Sequence, residues 1–201
     1  MKKSHLFFFL IILILVIGYG TYHWLKPKPH YPMIDSPRPT TGNPNATIVL
    51  SEWGDIQCPS CGYAQEGVHQ IMEEYREKIK LEFKHFPLIT AHPLAFEAAE
   101  AAECANDQHF FWDYLEVEYL NQKDLRESQL ISFAKDLGLD MDSFTNCLLS
   151  GAKFSVVEAD RQDGLRLDLK GTPTFFINGE VIQGFTHDAL RSAIEHRLSP
   201  S

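Results

Sequence analysis

An α/β domain is what the sequence predicts, built as strand–helix–strand, an all-helical insertion, then hairpin–helix, and three observations lead there. A β-branched run at Thr47–Trp53 and a strict apolar/charged alternation at Ile79–Lys84 bracket an amphipathic stretch, which makes a βαβ unit. Helical periodicity alone follows, over about 92–169. Asn178-Gly179 then separates Thr174–Ile177 from Glu180–Gln183, a two-residue hairpin signal.

The N-terminal segment 1–25 comes first. Lys2 and Lys3 precede an apolar run, Leu6–Ile17, followed by Gly18-Tyr19-Gly20, the layout of an export signal. Two readings stay open. Gly18 and Gly20 suit cleavage before Thr21. Against that, residues 6–25 are long enough as a helix to span hydrocarbon, with Tyr19, Tyr22 and Trp24 placed as an interfacial belt. An uncleaved anchor in the inner or plasma membrane is the expectation, and either reading puts the rest of the chain on the extracytoplasmic, periplasmic side. Residues 26–44, with Lys26-Pro27-Lys28-Pro29 and Ser36-Pro37-Arg38-Pro39, read as an extended spacer. Residues 45–201 form the folded domain.

Within that domain the first strand ends at Gly54-Asp55. Ala64, Val68, Ile71, Met72 and Tyr75 fall on one helical face, ending near Lys78, and Ile79–Lys84 is a half-buried strand. Pro93 suits the first turn of a helix running to Cys104, and further helices are predicted over Phe110–Leu120, Ser128–Leu137, Met141–Leu149 and Ala152–Leu169. A closing helix puts Leu190, Ile194 and Leu198 on one face.

Composition narrows the function. A net charge of −9 repels phosphate backbones, so no nucleic-acid partner is expected. All four cysteines lie beyond the export signal, where disulfides persist, and four is an even number.

Cys58 and Cys61 form a C-x-x-C pair, a spacing shared by zinc sites and redox dithiols. Structural zinc wants four ligands, and none of the nine histidines has the companion spacing, so no metal and no cofactor are expected. Redox exchange needs one sulfur that is a thiolate at neutral pH and a second within reach to resolve a mixed disulfide. Cys58 closes the strand-to-helix turn and Pro59 fits the first helical position, so helix N–H groups and dipole stabilise a Cys58 thiolate. Cys61, one turn in, should be more buried and harder to ionise. Glu52 is an acid in a run that otherwise reads as buried strand. It is either an edge-facing carboxylate or a buried carboxyl with a raised pKa that exchanges a proton with Cys61. Asp55 reads as a solvated turn residue.

Gly42-Asn43-Pro44-Asn45-Ala46, Asp55-Ile56-Gln57-Cys58-Pro59-Ser60-Cys61 and Gly171-Thr172-Pro173-Thr174-Phe175-Phe176-Ile177-Asn178-Gly179, with the helical insertion between them, resemble the DsbA-like branch of the thioredoxin-fold disulfide oxidoreductases. The resemblance covers roughly 42–198 and implies a thioredoxin fold (βαβ–ββα) carrying the insertion. It implies that Pro173 is a cis-proline against the dithiol, that Thr172 offers backbone hydrogen bonds to a substrate chain, and that Glu52 is the family's buried acid. It further implies a structural disulfide between Cys104 and Cys147, two buried reduced thiols being the alternative. Ser60 departs from the histidine of the most oxidising members. The activity implied is a dithiol oxidase acting on exported proteins with cysteines and reset by a membrane redox partner. A reductase or isomerase using the reduced dithiol is the alternative, and a peptide-binding chaperone on the same fold is the non-enzymatic one. The spacer is too short and Pro-rich for a dimerisation module, so a monomer is expected.

Overall fold

The computed structural model describes residues 38–199, which hold five strands and seven helices. In chain order these are β1 (Thr40–Gly42), β2 (Ile48–Gly54), α1 (Pro59–Tyr75), β3 (Ile79–His85), α2 (Ala95–Asn106), α3 (Phe111–Leu120) and α4 (Glu127–Asp136), then α5 (Met141–Leu149), α6 (Phe154–Arg166), β4 (Thr174–Ile177), β5 (Glu180–Val181) and α7 (His187–Leu198). The sheet order is β1-β3-β2-β4-β5, with β2 and β3 parallel and the other pairs antiparallel. This is the thioredoxin fold with an all-helical insertion, α2 to α6, between its two halves.

Central β2 decides where the site lies. Ile48, Leu50 and Glu52 share one face, because successive side chains of a strand alternate. That face packs with Ile79, Leu81, Phe175 and Ile177 against Ala64, Val68, Ile71 and Met72 of α1 and against Leu190 and Ile194 of α7. Leu198, at the end of the α7 row, reaches the surface. A second core fills the insertion. The buried alanines of α2, among them Ala98, Ala101 and Ala102, let Phe111, Tyr114, Leu130, Phe133 and Phe144 of the surrounding helices close in. Cys58 and Cys61 belong to this second core, at the end of the sheet.

The predicted elements are present, with differences at their ends. The largest is in the expected 26–44 spacer, whose last residues join the sheet. Thr40–Gly42 pairs with Lys80–Glu82, Phe83 N–H donates to Pro39 O at 3.0 Å, and Arg38 forms a buried ion pair with Asp160 at 2.7 Å. Without β1 the outer edge of β3 would expose unpaired backbone groups, and the β-branched Thr40-Thr41 just beyond Pro39 satisfies them. Helix α2 starts at Ala95 rather than Pro93, and the Leu94 N–H just before it, which has no acceptor within the helix, donates to Gln57 Oε1 at 2.9 Å. Helix α6 stops at Arg166, short of Leu169, because Asp168 turns to φ 57° and Leu169 N–H folds back onto Gly164 O in a Schellman cap. Strand β5 ends at Val181, although Ile182 N–H still bonds Phe175 O at 2.8 Å. The hairpin turn is as predicted, with Asn178 and Gly179 both at positive φ. The expected anchor 6–25 and most of the expected spacer lie outside the described residues, among which no helix is long and apolar enough to cross a membrane.

Cys104 of α2 and Cys147 of α5 are joined in a disulfide, their Cα atoms 5.9 Å apart. Their sequence separation of 43 gives a loop whose closure is worth about 4 kcal/mol. The double variant Cys104→Ala/Cys147→Ala is therefore expected to lose stability of about that size in urea unfolding, while Cys58 keeps its alkylation rate.

Candidate active site

The site is built where β2 runs out. At Gly54 a Cβ would sit 2.5 Å from the Phe83 ring and 3.0 Å from the Tyr119 hydroxyl, so the chain can leave the sheet there only as glycine. Cys58 N–H donates to Asp55 O at 3.0 Å, closing the turn. Cys58 is then the extended residue that caps α1, at φ −75° and ψ 120°, with Pro59 opening the helix. Cys61 N–H and Gly62 N–H both return to Cys58 O, at 3.0 and 3.2 Å. Both cysteines carry free thiols, Cys58 being 7% exposed and Cys61 not at all.

The loop before β4 closes over them. Thr172–Pro173 is cis, and Thr172 O lies 3.5 Å from Cys58 Sγ. Thr174 Oγ1 donates to Gly171 O at 2.7 Å and fixes the loop. Four residues singled out from the sequence, Cys58, Cys61, Thr172 and Pro173, thus sit together.

Their ionisation is split by environment. The hydrogen bond from Cys61 is the main influence that pulls the Cys58 thiol down to about 5. It outweighs burial, and Thr172 and the amides of Cys61 and Ser60 add to it. Burial pushes Cys61 far above the ordinary thiol range, and the bond it gives Cys58 pushes it further. Glu52 is fully buried. Its strand neighbours in register are Phe83 and Phe175, both buried, so it shares its face of the sheet with apolar residues on either side. That desolvation raises it to about 8 against the one hydrogen bond it accepts, from Gln65 Nε2 at 2.8 Å, and Oε2 has no partner. Glu52 is therefore mostly a neutral acid at pH 7.

Asp55 corrects an expectation. It is not a solvated turn residue but 1% exposed. Its Oδ1 accepts from Gln57 N–H at 2.8 Å, and its Oδ2 from Leu88 N–H at 2.7 Å and His92 Nδ1 at 2.8 Å. Its own N–H points at Cys61 Sγ, 3.4 Å away. The segment 86–94 folds over the turn, and its amides need the acceptors that Asp55 and Gln57 supply. From the other side Gln122 Nε2 donates to Ile56 O and Cys58 O, each at 2.7 Å. Tyr119 and Glu118 add a buried hydroxyl and carboxyl with no partners, and burial holds both groups well above their ordinary pKa. Sequence reasoning missed these residues. Only the Asx turn from Asp55 to Gln57 had a local signal.

Alkylation of Cys58 by iodoacetamide is expected to follow a single ionisation with its midpoint near 5 and to be flat through neutral pH. For Glu52 the folded pKa is raised, so its contribution to stability is present below the ordinary carboxyl range and lost as pH rises through about 8. Glu52→Gln should flatten that fall and leave the variant more stable than the parent at pH 8, by about 4 kcal/mol in urea unfolding.

A family model described as thioredoxin matches residues 35–196. Bacillus subtilis BdbD, in its oxidised form, superposes with a TM-score of 0.71 and 25% identity over 80% of this chain and 92% of that one. The thiol-disulfide exchange protein α-DsbA2 of Wolbachia pipientis superposes with a TM-score of 0.72 and 22% identity, covering 83% and 90%. Among curated proteins, the Na(+)/H(+) antiporter NhaA 1 of Salinispora arenicola is 37% identical over 155 residues, which is 76% of this chain and 24% of the antiporter. The chain spans about a quarter of the length of the antiporters it matches first. Fold, dithiol and family match agree: the chain belongs to the thioredoxin family, in its DsbA-like branch of thiol-disulfide oxidoreductases.

Proposed function

We propose that this chain is a dithiol oxidase that introduces disulfides into exported proteins through Cys58 and Cys61. One observation carries the reading: a buried Cys58 held down to about 5 at the head of α1. Stabilising the thiolate stabilises the reduced dithiol, which makes the disulfide form an oxidant. The value falls between those near 7 for thioredoxin and near 3.5 for DsbA.

In the proposed cycle a substrate thiolate attacks Cys58 Sγ of the Cys58–Cys61 disulfide. A substrate–Cys58 bond forms and the Cys58–Cys61 bond breaks, its electron pair passing to Cys61. Glu52, protonated at neutral pH, supplies the proton that Cys61 takes up. A second substrate thiolate then attacks the substrate sulfur of the mixed disulfide, and Cys58 leaves as the thiolate. The substrate has lost two electrons and the dithiol has gained them. A membrane redox partner takes them back. Thr172 O, beside Cys58, and Pro173 receive the substrate chain. The anchor 6–25 holds the domain at the outer side of the membrane. Relatives that carry a similar region within an antiporter polypeptide support work beside a membrane.

A reductase or isomerase runs the same residues from the reduced side, and Ser60 between the cysteines keeps that reading in view. Equilibration with glutathione, oxidation of reduced RNase and refolding of scrambled RNase separate the two. The expected result is a potential clearly above the −270 mV or so of thioredoxin, with RNase oxidation abolished in Cys58→Ser. A potential near thioredoxin's without oxidase activity transfers the assignment to a reductase, and full activity in Cys58→Ser removes the mechanism.

A further inference from the structure

Asp55 meets both cysteines through its backbone and a distant loop through its side chain. Its carbonyl accepts from Cys58 N–H at 3.0 Å and its N–H points at Cys61 Sγ at 3.4 Å. The carboxylate, nearly free of solvent, is held by three donors: the amides of Gln57 and Leu88 and the imidazole of His92. A carboxylate only accepts, so the hydrogen bond at 2.8 Å fixes the proton of His92 on Nδ1. Two of the three donors are backbone, fixed by the path of the chain. His92 is the side-chain donor among them.

We infer that His92 is a positioning residue for Cys61: by holding the Asp55 carboxylate it keeps the Asp55 amide directed at the Cys61 sulfur. The inference rests on the exchange chemistry proposed above and extends it to a residue with no contact to either thiol in that scheme. When a thiolate attacks Cys58 Sγ, the bonding pair of the Cys58–Cys61 disulfide goes to Cys61. Charge then emerges on a sulfur that burial strongly disfavours as an anion, before a proton reaches it. The Asp55 N–H is a fixed donor at that place, and a donor aimed at developing charge acts mainly on the transition state. In the reverse direction the same amide helps Cys61 ionise for its attack.

The geometry also makes the residue testable. The His92 side chain is 20% exposed, and the Leu94 N–H bond to Gln57 Oε1 still fastens the segment when the imidazole is gone. His92→Phe removes the donor, whereas His92→Asn puts an amide N–H near the place of Nδ1. Oxidised full-length protein is mixed with excess glutathione, quenched with acid, and the opening of the Cys58–Cys61 disulfide is followed by mass spectrometry. Opening is expected to slow by about tenfold in His92→Phe, the size of one weakened hydrogen bond to charge, and to recover in His92→Asn. The alkylation midpoint of Cys58 should stay in place in both variants, which general damage to the site would not allow.

Opening at the parental rate in His92→Phe overturns the inference, as does a shifted Cys58 midpoint or a slow His92→Asn. If near-UV dichroism shows that His92→Phe has not folded, His92→Ala takes its place, with added imidazole expected to restore the rate and no restoration counting against the idea. The underlying exchange reading fails separately, through Cys58→Ser that still oxidises RNase.

Discussion

A negative sulfur needs donors, and the site is arranged around supplying them to Cys58. The first turn of a helix has N–H groups with no partner inside the helix, and Pro59 at its first position pre-sets the turn while adding no N–H of its own. Cys61, one turn along, adds a thiol hydrogen that reaches back to Cys58. For that to happen the strand must end at Gly54, where no side chain fits, and the next residues must turn tightly into the helix. The position of β2, the start of α1 and the closing loop at Thr172–Pro173 all follow from that requirement.

Two opposite shifts coexist in a small space because their causes differ. Cys58 is lowered by directed hydrogen bonds at the end of a helix, and Glu52 is raised by complete burial between neighbouring strands. The first core, under α1 and α7, makes the carboxyl costly to ionise. The second core, in the insertion, encloses the thiols. The dithiol lies where the cores meet, so the insertion is part of the chemistry as well as a cover over the sheet.

Local signals in the sequence were enough for the elements that repeat a period. Alternation marked β3, i and i+4 spacing marked α1, and Asn178-Gly179 marked the hairpin, since each depends on neighbours close in the chain. Cys58, Pro59 and Cys61 were legible for the same reason. Glu52 stood out as an acid in an apolar run, but the residues that flank it come from two other strands. Asp55 was misread because two of its donors lie 33 and 37 residues away. Strand β1 was missed because its reason to exist is the free edge of β3, which nothing in Thr40–Gly42 announces. Nothing near Glu118 in the chain marks it, and it is the tertiary packing of α3 that buries it.

The disulfide in the insertion places this protein on both sides of its own chemistry. Cys104 is 1% exposed in the finished fold, walled in by the alanine helix and its neighbours. Cys147, only partly buried, is the sulfur an incoming oxidant meets, and Cys104 closes the bridge from within. Joining the two sulfurs removes two electrons from the chain, so each new copy is itself oxidised once before it has the bridged fold.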